Sequence, residues 1–549
     1  MSAQNTKIQS ARALWLAIGA AVAGAALGGT ALAASPGITG GAAGGSHAVA
    51  FDLDAAPAYI SQPDGQMVYS WGYGCNTAPS GYLPSGIGGA SCGSMQIPGP
   101  TLIVYEGDQV TVTLHNSLPA PAGNTSILFP GFQVSTSGGA AGLLTQEATP
   151  QNTVTYSFTA SGPGTHVYYS GTQSDLQIEM GMYGAVIVLP AAANVPVACT
   201  AGNSLADKNL QAEVFRGEKD FRLSAAAYDH PGACYDREYL FQFSEMDPSI
   251  HKQTEDQVLT CAANLKNGLS CPALSVATEP YHPAYFMVNG RSMPDDMDPN
   301  YGPQYPHQPY NGNPHMHPGE LVLLRVTGTG RWQHPFHEHG NHVRILGRDG
   351  NLILSSSADS RTPDVTDLAG PLLFTTTTTP GLAMDGIFYW TGRGLNWDVY
   401  GHHTGTGTGN AGATCTPDSD GRGYDTHDPH AINYYEWCAD HDKGLEAHPF
   451  GDVGGGGPVT LPNANILTNG TWYGGSPYLG VDATTRAVGA TGTTPPSGTV
   501  GNPPGTEAGF AYMWHSHNER EITTNNIFPG GMMMMMLVDS REFVIDESN

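Results

Sequence analysis

Histidines recur at alternate positions in two short stretches of the second half of the chain. MWHSHNERE (Met513–Glu521) carries His515 and His517 around Ser516, and HPFHEHGNH (residues 334–342) carries His337 and His339 around Glu338. Alternate side chains of a strand share a face, so each pair aims two imidazoles the same way. Imidazole suits copper and zinc, and copper tops the divalent affinity order. Copper is therefore the expected metal ion, with zinc as runner-up. The competing reading is four imidazoles hydrogen-bonding inside a core. By the same alternation Glu338 points away from His337 and His339, so a place at the surface or in support of the ligands is expected rather than direct ligation. No acid–base pair, nucleophile elbow or phosphate-cradling glycine loop stands out, so hydrolase and nucleotide chemistry have no residues to rest on.

The elements that must position these groups read as strands. In TLIVYEGDQVTVTLHN, residues 101–116, two strands flank a Glu-Gly-Asp turn, and Val110, Val112 and Leu114 alternate with polar residues. NTVTYSFTA repeats that alternation, and YGAVIVLP reads as a buried closing strand. HPGELVLLRVTG and MMMMMLV echo these segments later in the chain, while helical periodicity is nearly absent. Glycine and proline, 72 and 41 of 549 residues, point to many short strands and turns. The expected architecture is all-β, with β-sandwich units over residues 48–195 and 205–549. A Gly/Thr/Pro-rich insertion spans residues 401–506, too long for an ordinary loop.

Residues 1–34 read as a cleaved secretory signal: Lys7 and Arg12 precede a small, apolar run that ends Ala31-Leu32-Ala33. Beyond them no run approaches the ~20 apolar residues that span a bilayer. The expected location is a periplasm or the extracellular space. Eight cysteines fit an oxidising compartment. Pairing sequence neighbours would join Cys75 to Cys92, Cys199 to Cys234, Cys261 to Cys271 and Cys415 to Cys438, although connectivity stays open at this level. The formal charge of -27, from 21 Lys+Arg against 48 Asp+Glu, argues against nucleic acid and anionic membrane as partners.

The chain resembles the multicopper oxidases, the family of cupredoxin (plastocyanin-like) repeats that includes laccases. PGPTLIVYEGDQVTVTLHN is similar to that family's opening signature. GTHVYYSGTQSDLQIEMGMYGAVIV, HPFHEHGNHVRILGRDG, and MWHSHNERE followed by PGGMMMMMLV resemble its later motifs, in the right order. The resemblance implies two cupredoxin-like Greek-key sandwiches and copper chemistry. It also implies that the two surviving His-x-His motifs face each other between domains. The family holds three coppers with four such motifs and feeds them electrons from a blue-copper site. Here Leu128-Phe129-Pro130 and Tyr169-Ser170-Gly171 stand where the first two motifs belong. His334 matches one blue-copper ligand, but Glu521 stands at the second histidine and Ser516 at the cysteine. A serine hydroxyl is neutral near neutral pH and cannot replace a thiolate, so four-electron oxygen chemistry is not expected.

The candidate metal ligands are thus His337, His339, His515 and His517, with His334 beside them. Three readings remain open: a copper-binding protein without the full oxidase machinery, a copper-dependent oxidoreductase with a rebuilt site and an external electron donor, and a metal-free acidic scaffold. Analogy with two-domain cupredoxins of the nitrite-reductase type leaves a homo-oligomer open. Weaker candidates are a Cu(I)-loading patch at His315-Met316-His317 with Met293–Asp298, and histidines 402, 403, 427 and 430 in the insertion. Met532–Met536 reads as a core strand and Tyr169 as a plug in a vacated pocket.

Overall fold

The computed structural model describes residues 35–41, 47–200, 219–359, 362–392, 417–419, 421, 423–424, 475–479, 500–501, 509–539 and 545. The chain is all-β, built as two pairs of packed sheets. In the first pair, one five-stranded sheet runs Met67–Cys75, Ala48–Ser61, Gln109–Asn116, Thr153–Thr159 and Ser135–Gly138. Its alternation is as expected: Val110, Val112 and Leu114 are buried, and Val154, Tyr156 and Phe158 face the same core. The facing sheet runs Gly164–Tyr169, Tyr183–Leu189, Leu102–Tyr105, Gly37–Thr39 and Gly81–Leu83. The Glu-Gly-Asp turn therefore carries the chain from one sheet to the other. Asp108 braces it by accepting a hydrogen bond from the Tyr105 amide at 2.8 Å.

The second pair has two seven-stranded sheets. One includes Arg237–Met246, Leu321–Gly328, Ala383–Tyr389 and Val343–Arg348. The other runs His315–Met316, Met533–Asp539, Gly509–Ser516, His334–Glu338 and Thr375–Thr378 along its main path. Phe241, Phe243, Phe336, Phe388, Trp514, Met532, Met534 and Met536 meet in the core between them. The methionine run is a strand, as expected, and it divides its side chains between two faces. The strand Gly475–Leu479 of the long insertion adds to the edge beside Gly509–Ser516. Most of that insertion lies outside the described residues, as do residues 1–34 and Cys415 and Cys438.

The longest departure from the strand pattern among the described residues is helical. Pro248–Lys266 is a 19-residue α-helix. Asp247 caps it, accepting from the Ser249 amide at 2.9 Å, and Pro248 occupies the first turn. It follows a strand of the second pair but packs against the first, where Ile250 joins the core. The pairs are also tied by Asp385, which accepts from the Thr165 hydroxyl at 2.6 Å and the Tyr228 hydroxyl at 2.6 Å. Disulfides join Cys75 to Cys92, Cys199 to Cys234 and Cys261 to Cys271, as neighbour pairing anticipated. No helix among the described residues is long and apolar enough to cross a membrane.

Candidate metal centre

The two histidine strands are antiparallel neighbours in one sheet, with His337 opposite His515 and Phe336 opposite Ser516. The motifs thus lie side by side, not across an interdomain gap as the resemblance implied. Strand alternation sorts their side chains. Phe336 and Trp514 enter the core, and this apolar anchoring presents His337, His339, His515 and His517 together on the opposite face. The His517 amide donates to Pro335 O at 2.8 Å, and the Trp514 indole donates to His339 O at 2.9 Å, which fixes the register at both ends. Gly340 follows with φ of 100°, and a Cβ there would sit 3.1 Å from the Tyr512 ring.

The four rings converge. The His337 ring centroid lies 4.8 Å from His339, 5.6 Å from His515 and 4.9 Å from His517, and His339 lies 5.0 Å from His515. His515 Nε2 and His339 Nε2 are 3.1 Å apart. Two nitrogens bound to one metal at ~2 Å in tetrahedral geometry stand ~3.3 Å apart, so this pair is already at ligand spacing. His515 Nδ1 reaches Ser516 O at 2.7 Å. The carbonyl can only accept, so Nδ1 carries the proton and Nε2 offers its lone pair toward His339. His337 Nδ1 meets Thr375 Oγ1 at 2.8 Å. Burial, with the neighbouring imidazoles His515 and His517, lowers the His337 pKa to about 4 and favours the neutral form a metal needs.

Among the described residues, no three His, Cys, Asp or Glu side chains already stand as a metal-holding group. A third donor must therefore turn in or come from another residue type. The site is graded in exposure: His337 is buried, His339 and His515 are half-buried, and His517 is exposed. Glu338 points into the core as alternation required. It accepts from Thr376 at 2.6 Å, and burial raises its pKa to about 8.

His334 stands apart from this cluster, on the core face. Its Nδ1 lies 2.9 Å from Glu521 Oε2 and its Nε2 lies 2.8 Å from Glu245 Oε2, all fully buried. Ser516 Oγ donates to the same Glu521 oxygen at 2.5 Å. Burial opposes charge on the imidazole, but hydrogen bonds and charges from Glu245 and Glu521 outweigh it and raise the His334 pKa to about 9. The three positions that would hold a blue copper do converge, but on one carboxylate oxygen. They offer no thiolate, and both ring nitrogens of His334 are engaged. These residues do not fit a mononuclear copper, which corrects the expectation that His334 would act as a ligand. Glu245 was missed by sequence reasoning: it lies 89 residues upstream in a buried strand, with no local motif to mark it.

The other candidates are accounted for by packing. His315 Nδ1 pairs with Asp539 at 2.6 Å, His317 Nδ1 with Asp539 O at 3.0 Å, and Met316 is in the core, so this stretch is no open loading patch. Leu128 and Tyr169, in the two vacated motif positions, pair across neighbouring backbones. A Cβ at Gly171 would lie 2.8 Å from the Leu128 side chain, so apolar groups fill that half. Histidines 402, 403, 427 and 430 lie outside the described residues.

Two family models described as multicopper oxidase match residues 93–193 and 277–382. The second contains the His337–His339 motif; the His515–His517 motif lies beyond both. A multicopper oxidase of Cercospora beticola is 38% identical over 95 residues, covering 17% of this chain and 14% of the relative. A copper-containing nitrite reductase of Pseudomonas chlororaphis is 40% identical over 101 residues, covering 18% of this chain and 26% of the relative. A solved blue copper oxidase from Nitrosomonas europaea aligns over 89% of this chain and 85% of its own, with 14% identity and a TM-score of 0.42. Residues 93–193 and 277–382 are thus the two stretches of this chain that are similar to multicopper oxidases. Its matched segment spans about a seventh of the first of these curated relatives and a quarter of the second.

Proposed function

We propose that this is an exported copper-binding protein that keeps a four-histidine site and lacks the blue-copper entry point for electrons. The observation that carries this reading is the 3.1 Å approach of His339 Nε2 to His515 Nε2 within a cluster of four imidazoles. His339 and His515 would hold the ion, with His337 and His517 near enough to turn in, and bound copper would supply an electron-accepting Lewis acid there. Similarity to multicopper oxidases supports copper over zinc. The unit boundaries at 48–195 and 205–549, and the removal of residues 1–34 on export, belong to the same proposal.

Metal analysis after dialysis tests the reading. The wild type should retain about one copper per chain, and His515→Ala/His517→Ala should retain none while keeping its thermal transition. Equal retention by both proteins, or a zinc-only wild type, would sink the assignment. The exposed edge at His517 favours a second reading, since an external electron donor could reach it. Oxygen uptake with phenols or Cu(I), lost in the double variant, would convert the binding protein into an oxidoreductase.

A further inference from the structure

The face that carries the histidines also carries sulfur. The Gly509–Ser516 strand pairs with Met533–Asp539 so that His515 lies opposite Met533 and Met513 opposite Met535. On its other side His515 lies opposite His337, and the His339 amide donates to Met513 O at 3.4 Å. Partners in an antiparallel register share a face, with Cβ atoms about 5 Å apart. Two rows therefore cross the three strands on one surface: His337, His515, Met533, and beside it His339, Met513, Met535. The alternation confirms the facing. Met534 and Met536 belong to the core, while Met513 and Met535 are only half-buried. Met533 is 3% exposed, so its thioether is largely withdrawn from water beside His515.

The chemistry of this donor set is specific. Thioethers are soft ligands that select Cu(I) over harder divalent ions, whereas imidazole accepts either copper state. Two imidazole nitrogens already stand at ligand spacing, and no third His, Cys, Asp or Glu donor joins them among the described residues. The unbranched methionine side chain has the reach and freedom to supply that donor. We propose that the ion bound at this face is cuprous, with Met533 as the sulfur ligand beside His515 and His339 and Met513 as its alternate. The inference rests on the copper-binding reading of the cluster and adds the oxidation state and the sulfur.

Anaerobic competition against a chromophoric Cu(I) chelator, with parallel titration of Cu(II) against a Cu(II) chelator, tests it. Met533→Leu preserves volume and the strand. It should weaken Cu(I) binding by about tenfold or more and leave Cu(II) affinity within about twofold. Met513→Leu/Met533→Leu should weaken Cu(I) further. X-ray absorption of the Cu(I)-loaded wild type should show copper–sulfur scattering that diminishes in these variants. Unchanged Cu(I) affinity in the double methionine variant, or a Cu(I) spectrum with nitrogen neighbours only, overturns the sulfur assignment while leaving the histidine site standing. A wild type that takes up neither oxidation state, or a His515→Ala/His517→Ala variant that takes up both normally, overturns the histidine site itself.

Discussion

A proton on His334 supplies the positive charge that lets two buried carboxylates, Glu245 and Glu521, close on one imidazole. The consequence is a pH dependence whose sign follows from the raised pKa. The contribution of His334 is complete below about pH 6.5 and is lost as pH rises through about 9. A shift of that size corresponds to roughly 3 kcal/mol. Burial raises the Glu179 pKa from 4.5 to about 8, so the cost of charging it inside the fold builds up as pH rises between those values, which overlaps the His334 window. Urea denaturation at pH 6, 8 and 10 should show stability falling through this window. Glu245→Gln should be less stable than wild type at pH 6 and should fall less steeply above pH 8. Parallel curves for the two proteins would contradict the ion-pair account. At this scale the sequence showed the four clustered histidines, because His-x-His at period two is a local signal. It could not show Glu245, whose role depends on a strand pairing that no local spacing encodes.

Among the elements, the strands were the legible part. Val110, Val112 and Leu114 announced their sheet by alternation, and the methionine run was recognisable as a strand. The crossing of the Glu-Gly-Asp turn between sheets was not visible, since a tight turn between two apolar runs reads equally well as a hairpin. The helix Pro248–Lys266 was missed for a different reason: few of its residues are apolar, so it carries little periodic pattern. Its ends were nevertheless marked, by Asp247-Pro248 at the start and by Gly268, at φ of 72°, after the finish. Asp247 also accepts from the His282 amide at 2.8 Å. Asp247→Ala should therefore cost about 1–2 kcal/mol, read as a lower thermal midpoint. Asp247→Asn, which keeps a capping oxygen, should recover most of that loss. An unchanged midpoint in the alanine variant would show that the cap contributes nothing.

At the scale of the whole molecule, the two sheet pairs are bound by more than contact. Asp385 receives hydroxyls from Thr165 of the first pair and Tyr228 of the second. A second apolar cluster places Leu240 of one pair against Ile103, Ala185, Ile187 and Leu189 of the other. The helix goes further, because Ile250 completes a core whose strands all end before residue 190. A gene fragment truncated at residue 200 would lack that wedge and leave an oily bed open to solvent. Such a fragment should accumulate as inclusion bodies when expressed alone, and adding residues 247–271 through a flexible linker should bring it into the soluble fraction. Interleaving of this kind makes the two halves poor candidates for recombination: swapping either for a homologous module would strip its neighbour of part of its own interior.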